Sequence, residues 1–326
     1  MSPPDRPKGE YRSAQHEGNP MSPPGLPKGE YRSAQHEGNP MNPRDATDGT
    51  IVNALTIDVE DYFQVSAFSA HIPRDTWDSL PCRVERNVDR ILLLLSDADV
   101  RATFFTLGWV AERYPAMVRR IVDGGHELAS HGYEHFRATD QGYGQFLADI
   151  RLAKAVLEDT SACQVKGYRA PSFSVGPSNQ WAFECIAEAG YRYSSSVYPI
   201  RHDHYGTPDS PRFAHEVFKG LLELPITTVR MLRSNWPAGG GGYFRLLPYC
   251  VSRWSIRRVN AIDGQPALFY FHPWELDPEQ PRVNGPSAKS RLRHYVNLTR
   301  MVPRMRRLLS DFRWDRVDRV FLTGRP

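Results

Sequence analysis

The sequence predicts an α/β fold in which strands and helices alternate. Three observations carry that expectation. From residue 51 to about 196, apolar β-prone runs alternate with amphipathic helical stretches. Polar and charged residues stand at the C-terminal ends of the apolar runs. Glycines and prolines punctuate the joins. Repeated βα units with polar groups at strand ends describe a barrel whose site lies at the C-terminal face. An open parallel sheet also gathers ligands at strand ends, so the pattern alone leaves both architectures open.

The elements follow in order. IVNALTI (51–57) reads as a buried strand that runs straight into Asp58, Glu60 and Asp61. VERNVDRILLLLSD (84–97) has the period of an amphipathic helix, and RATFFTLG (101–108) that of a strand. Residues 110–125 predict one helix closed by glycines, and HELASHG (126–132) a strand followed by a turn. A helix over 141–159, a strand plus loop over 166–174, a helix over 179–190 and a short strand over 191–196 complete the regular part. Later, 221–227 and 266–274 are strand candidates, and the four glycines 239–242 mark a flexible or tightly turned loop. Residues 287–310 predict a final helix interrupted by Pro303, and 312–320 close the chain.

The chain of 326 residues is 40% hydrophobic and 24% charged, which suits a globular protein with a real core. With 41 Lys+Arg against 37 Asp+Glu, the net charge of +4 argues against a nucleic-acid partner, which needs a concentrated basic patch. The densest basic run, Arg300, Arg304, Arg306 and Arg307, reads as a solvated helix face. Cys82, Cys163, Cys185 and Cys250 form no Cys-x-x-Cys pair and read as structural thiols of a reducing compartment. No window reaches membrane-spanning length and no secretory signal is visible, so a cytoplasmic location without an integral membrane segment is expected. Residues 1–20 and 21–40 repeat, differing only at Asp5/Gly25 and Arg6/Leu26. Their Pro, Gly and charge cannot repay the entropy of ordering, so residues 1–46 are expected to be a disordered tail ahead of a folded domain over 47–326. Met41 is read as an alternative start.

Four segments carry chemistry. In SHGYEHF (130–136), His131 and His135 are four apart, and a helical turn would present both imidazoles to one metal ion. Position 132 is Gly, not Glu, so the metalloprotease pattern is absent and the base must come from elsewhere. TIDVED (56–61) supplies it: alternation along a strand points Asp58 and Glu60 the same way. Asp58 is assigned as base and Glu60 as metal ligand, with Asp61 the competing ligand. In GYRAPSF (167–173), Arg169 is placed to pair with Asp58 and hold its orientation. In YFHPW (270–274), His272 ends an apolar strand and could hand a proton to a leaving amine. Tyr270 and Trp274 could line a sugar-binding surface, and Glu223 could steady His272.

Together TIDVEDYF, SHGYEHF, YRAPSFS and FYFHPW resemble the polysaccharide deacetylase family, the carbohydrate esterases with the NodB homology domain. More narrowly, the chain is similar to the subfamily encoded with bacterial exopolysaccharide and PEP-CTERM protein-sorting loci, with its C-terminal extension over about 200–326. The resemblance implies a distorted (β/α)7 barrel, one divalent metal ion, usually Zn2+, and hydrolysis of N-acetyl groups on amino sugars. Asp58 matches the family's base, His131 and His135 its metal histidines, Arg169 the arginine that orients the base, and His272 the acid. The family's usual Thr-Phe-Asp-Asp-Gly is TIDVE here, with Val59 in place of the second aspartate, so the metal carboxylate is inferred at Glu60. Ser194 stands where an aspartate often precedes the serines, which leaves the support of His272 open. A backbone N–H near Phe173 is expected at the oxyanion, which places Phe173 beside Tyr270 and Trp274 among the substrate-binding residues. The implied substrate is an N-acetylated polysaccharide or oligosaccharide, met at the inner face of the membrane in association with exopolysaccharide-assembly machinery. Two alternatives remain: hydrolysis of another non-peptide C–N bond on the same scaffold, and a non-catalytic carbohydrate-binding protein.

Overall fold

The computed structural model describes residues 51–203 and 205–323, so the expectations for the duplicated N-terminal tail and for the boundary at 46/47 lie outside the described residues. The strands are β1 (Val52–Val59), β2 (Thr103–Thr106), β3 (Glu127–Ser130), β4 (Gly167–Tyr168), β5 (Tyr193–Ser194), β6 (His215–Phe218), β7 (Leu221–Glu223), β8 (Thr228–Met231), β9 (Ser234–Pro237), β10 (Leu268–Phe271) and β11 (Arg313–Asp315). Seven of them run parallel in the order β10-β1-β2-β3-β4-β5-β7. β6 adds antiparallel to β7, β11 pairs with the start of β1, and β8 and β9 form a separate hairpin.

Parallel neighbours need crossovers, and helices supply them. α1 (Val84–Asp97) links β1 to β2, and α2 (Gly108–Arg113) with α3 (Pro115–Asp123) links β2 to β3. α4 (Tyr143–Ser161) and α5 (Trp181–Glu188) serve the next two pairs. The curled sheet is a distorted (β/α)7 barrel, as expected. Where β7 would meet β10, an irregular segment does the joining. The Leu268 N–H donates to Thr227 Oγ1 at 2.6 Å, and the Tyr270 N–H to the Gly239 carbonyl at 2.7 Å.

Alternation along the strands sorts the side chains. Leu55, Ile57, Phe104, Leu128 and Phe269 pack outward in the cluster shared with the helices. Ala54, Phe105, Ala129, Tyr193, Leu222, Leu268 and Tyr270 fill a second cluster on the other face. Asp58 lies four residues after Ala54 and His131 two after Ala129, so both share that interior face at the C-terminal ends of their strands.

The structure revises several expectations. The single helix over 110–125 is two helices broken at Tyr114, because Pro115 has no N–H to donate and takes the first position of α3. The last long helix is also two, α8 (Ala288–Tyr295) and α9 (Met301–Asp311), separated by Asn297 with φ 53°. Pro303 sits in the first turn of α9, where no intrahelical bond is lost, so it does not interrupt the helix. The four glycines open α6 (Gly241–Leu246), which α7 (Tyr249–Arg258) follows; α10 (Val317–Phe321) comes after β11. Arg304, expected on a solvated face, caps α6: its guanidinium donates to the carbonyls of Phe244, Arg245 and Leu247 at 2.5–3.0 Å. No helix among the described residues is long and apolar enough to cross a membrane.

Candidate metal and catalytic centre

The ends of β1, β3, β4 and β10 converge on one cavity of about 380 Å3. Asp58, Glu60, His131, His135, Phe173, Tyr270, His272 and Trp274 all line it, and Arg169 lies directly beneath Asp58. The assigned metal, catalytic and substrate-binding residues therefore fall in or against this one site, whereas Asp61 and Glu223 do not line it.

Glu60, His131 and His135 are buried, and their donor atoms lie within 4.8 Å of one another. The two histidines are not on a helical turn, contrary to the spacing argument. His131 leaves β3, Gly132 turns at φ 80°, and His135 itself adopts φ 57°. That strained loop is stapled from outside by Arg74, which donates to the carbonyls of Glu134 and His135 at 2.8 and 3.0 Å. The imidazole rings end with centroids 5.2 Å apart.

The donor set fits a divalent cation. Glu60 Oε2 is buried without a hydrogen-bond partner, yet lies 2.8 Å from His135 Nε2. Two donor atoms that close, with no hydrogen-bond geometry between them, suit a shared ion. His131 Nδ1 lies 2.8 Å from the Arg169 carbonyl, so that its N–H donates there and Nε2 keeps its lone pair, as in histidine ligands generally. Burial pulls His131 down to about 4, which keeps the ring neutral. For Glu60 burial works upward, but His135, His272 and His131 outweigh it and bring the carboxyl down to about 2.

Asp61 has another task. Its Oδ2 accepts from the backbone N–H groups of Arg83 and Val84 and from Cys82 Sγ, and its Oδ1 from the Tyr62 N–H. The carboxylate thus anchors the first turn of α1 and is turned away from the metal donors. One residue earlier, the Glu60 N–H bonds back to the Asp58 carbonyl at 3.0 Å as the strand ends, which sends the two neighbouring acids in different directions.

Arg169 is fully buried and fully occupied. It donates to Asp58 Oδ1 at 2.5 Å, Thr56 Oγ1 at 2.9 Å, Ser195 Oγ at 3.0 Å and the Ser195 carbonyl at 3.2 Å. Its guanidinium also stacks 4.0 Å from the Phe105 ring.

His272 faces the acids from β10, with Nε2 3.4 Å from Glu60 Oε1 and 4.0 Å from Asp58 Oδ2. Its Nδ1 bonds Glu275 Oε1 at 2.8 Å, and Glu275 Oε2 in turn accepts from Arg245 Nε at 2.6 Å. Burial would lower this imidazole, but Glu60, Glu275 and Asp58 raise it to about 9. A cation on Glu60 would remove much of that pull and leave Glu275 as the lasting one. The supporting group is therefore Glu275, not Glu223. Glu223 Oε1 instead accepts from the Ser196 and Val197 N–H groups at 2.8 and 2.9 Å, and burial pushes its carboxyl up to about 7. Glu275 and Arg245 were not foreseen. The signal for Glu275 was present, since a glutamate three residues after His272 makes a reciprocal cap of the short turn 273–276.

Trp274 meets the site through its N–H, which donates to Glu60 Oε1 at 3.3 Å, while its ring stacks on His272 and His294. Phe173 and Tyr270 pack edge-to-face at 4.8 Å and are nearly buried where they line the cavity. The Phe173 N–H is already donated to the Ala170 carbonyl at 3.0 Å, so the oxyanion donor foreseen near it is not Phe173's own amide.

Comparison with known proteins fits this arrangement. The polysaccharide deacetylase family model matches residues 75–194, and a domain of unknown function (DUF3473) matches residues 195–322. The chain therefore carries a polysaccharide deacetylase domain of the NodB type with a DUF3473 C-terminal part. It is 30% identical over 96 residues to a peptidoglycan-N-acetylglucosamine deacetylase of Bacillus cereus, covering 29% of this chain and 35% of that protein. It is 24% identical over 160 residues to a peptidoglycan deacetylase of Helicobacter pylori, covering 47% of this chain and 54% of that one. The chain thus spans about a third to a half of the length of these curated relatives. A crystal structure from Mycobacterium smegmatis, assigned as a polysaccharide deacetylase, superposes with a TM-score of 0.54 at 20% identity, over 84% of this chain and 89% of that one. That likeness establishes the shared fold.

Proposed function

We propose that the chain is a metal-dependent N-deacetylase. It hydrolyses N-acetyl groups on amino sugars of a bacterial polysaccharide or its precursor, of the exopolysaccharide type, and releases acetate. The observation that carries this reading is the convergence of the Glu60/His131/His135 donors, the Arg169-held Asp58 and His272 on one cavity. The relatives' activity on N-acetylglucosamine supports it.

Glu60, His131 and His135 would hold the ion, and a donor set of two imidazoles and a carboxylate suits Zn2+. A divalent ion there supplies Lewis-acid polarisation of the amide carbonyl and of the attacking water. Asp58 takes the proton from that water. Arg169 fixes its Oδ1, so that Oδ2 is the oxygen presented to the site. His272, its Nδ1–H spent on Glu275, offers Nε2–H to the departing amine as the C–N bond breaks. Phe173, Tyr270 and Trp274 narrow the cavity around the acetamido sugar.

Acetate release from chitooligosaccharides or isolated exopolysaccharide is the test. The metal-loaded protein should release acetate, and His131→Ala should lose both the activity and the bound metal by elemental analysis. Sugar binding without acetate release at any metal loading would overturn the reading in favour of a non-catalytic carbohydrate-binding protein.

A further inference from the structure

Arg137 differs from the other arginines around the cavity. Arg169 and Arg245 are buried and committed to carboxylates, and Arg74 is committed to backbone carbonyls. Arg137 lines the cavity two residues beyond His135 and is half-buried. Among the described residues its guanidinium makes neither an ion pair nor a hydrogen bond. An unpartnered, partly desolvated cation on a cavity wall is costly unless a ligand completes it.

A second wall of the same cavity carries more positive charge. Lys289 and Arg293 on α8 both line it, and both reach the single carboxylate of Asp203, at 2.6 and 2.9 Å. His202 Nε2 also lies 3.3 Å from that carboxylate. The acids of the wall offer no counterweight: Asp58 is held by Arg169, Glu275 by Arg245, and Glu60 faces the histidines. The cavity therefore carries more positive charge than its own carboxylates neutralise.

We propose that Arg137, with Lys289 and Arg293, forms an anion subsite that reads a carboxylate or phosphate on the glycan beside the acetamido sugar. This deepens the deacetylase reading and rests on it. The planar fork of Arg137 suits bidentate capture of such a group. The exposed α8 cations add a longer-range pull that salt would weaken. The substrate is then an acidic N-acetylated glycan, not a neutral one.

The test separates binding from turnover. Labelled oligogalacturonate carries carboxylates and no acetamide, so the part of its affinity for the metal-loaded full chain that depends on Arg137 reports the subsite. Arg137→Met should weaken that affinity about tenfold, the size of one lost charge-assisted hydrogen bond, with Arg137→Lys intermediate. In acetate release, the ratio of kcat/KM for an alternating N-acetylglucosamine–glucuronate oligosaccharide over chitohexaose should fall in Arg137→Met. An N-acetylglucosamine oligomer ending in a 1-phosphate is the parallel arm, and the larger Arg137 dependence tells which anion the subsite takes. Unchanged oligogalacturonate and 1-phosphate binding in Arg137→Met, or equal proportional losses on acidic and neutral substrates, would overturn the proposal. Failure of every substrate to release acetate overturns the deacetylase reading instead, while the binding arm still decides the subsite.

Discussion

Two buried arginine–carboxylate pairs serve the cavity, and they do so differently. Arg169–Asp58 comes from the ends of β4 and β1; Arg245–Glu275 comes from α6 and the turn after β10, within the residues matched by the C-terminal family. Both pairs are nearly solvent-free. In the first, the carboxylate itself faces the reacting groups. In the second, it acts through His272, and its arginine also binds the carbonyls of Arg293, His294 and Val296 at 2.7–3.1 Å at the end of α8. In the proposed mechanism one pair would present a reagent, while the other would tie a wall of the cavity to a reagent. The difference shows how the C-terminal region becomes part of the site without supplying a metal donor.

The largest effect that would sharpen this contrast is Asp58→Asn. It should cut acetate release by about 10²–10⁴-fold with bound metal retained, as for loss of a general base. Wild-type turnover in that variant would break the assignment. Arg245→Met should act first on stability. It removes the cation from Glu275 Oε2 in a dry site and leaves His272 as the remaining partner, so a loss of about 3–5 kcal/mol in unfolding free energy is expected by denaturant titration, together with loosening of α8. Glu275→Gln keeps the shape and removes the charge behind His272. A fall in kcat of about tenfold to a hundredfold is expected, with metal content unchanged. A variant that lost metal instead would make this pair part of the metal site.

The smallest effect comes from Glu223, the carboxylate that plays neither part. Its folded carboxyl is pushed up to about 7 by burial, above the unfolded value near 4.5. The folded state therefore holds a proton that the unfolded state releases as pH rises from about 4.5 to 7. Stability should decline across that window by on the order of 1–3 kcal/mol and level off above it. Glu223→Gln keeps the acceptor for Ser196 and Val197, so it should make the decline shallower in a pH series of thermal midpoints, leaving the part due to the other buried acids, Glu127 and Asp149.

Much of the fold was legible because periodicity survives burial. The helix over 84–97 was read to the residue, and the strands at 51–57, 101–108 and 266–274 were placed. What failed was local backbone chemistry. Pro115 split a helix that hydrophobic spacing joined, and a left-handed loop took the place of a helical turn between His131 and His135. The hairpin of β8 and β9 left no clear alternation to follow. Of the site, the residues at strand ends were readable because strand ends are where such folds collect function. Glu60 and Asp61 could not be told apart, since their separation depends on a single backbone bond and on where α1 begins. Arg245 was invisible for a simpler reason: its partner lies 30 residues away, beyond α7 and β10.

The glycine run that opens α6 has a consequence of its own. A Cβ at Gly241 would collide with the carboxylate of Glu275, and one at Gly239 would strike the Leu268 carbonyl. A single methyl group on α6 would crowd the carboxylate that holds His272 while leaving every proposed metal donor and the base unsubstituted. Such a protein would keep every motif while its turnover fell as expected for Glu275→Gln. Gly241→Ala thus probes the Glu275–His272 contact without altering any proposed metal donor.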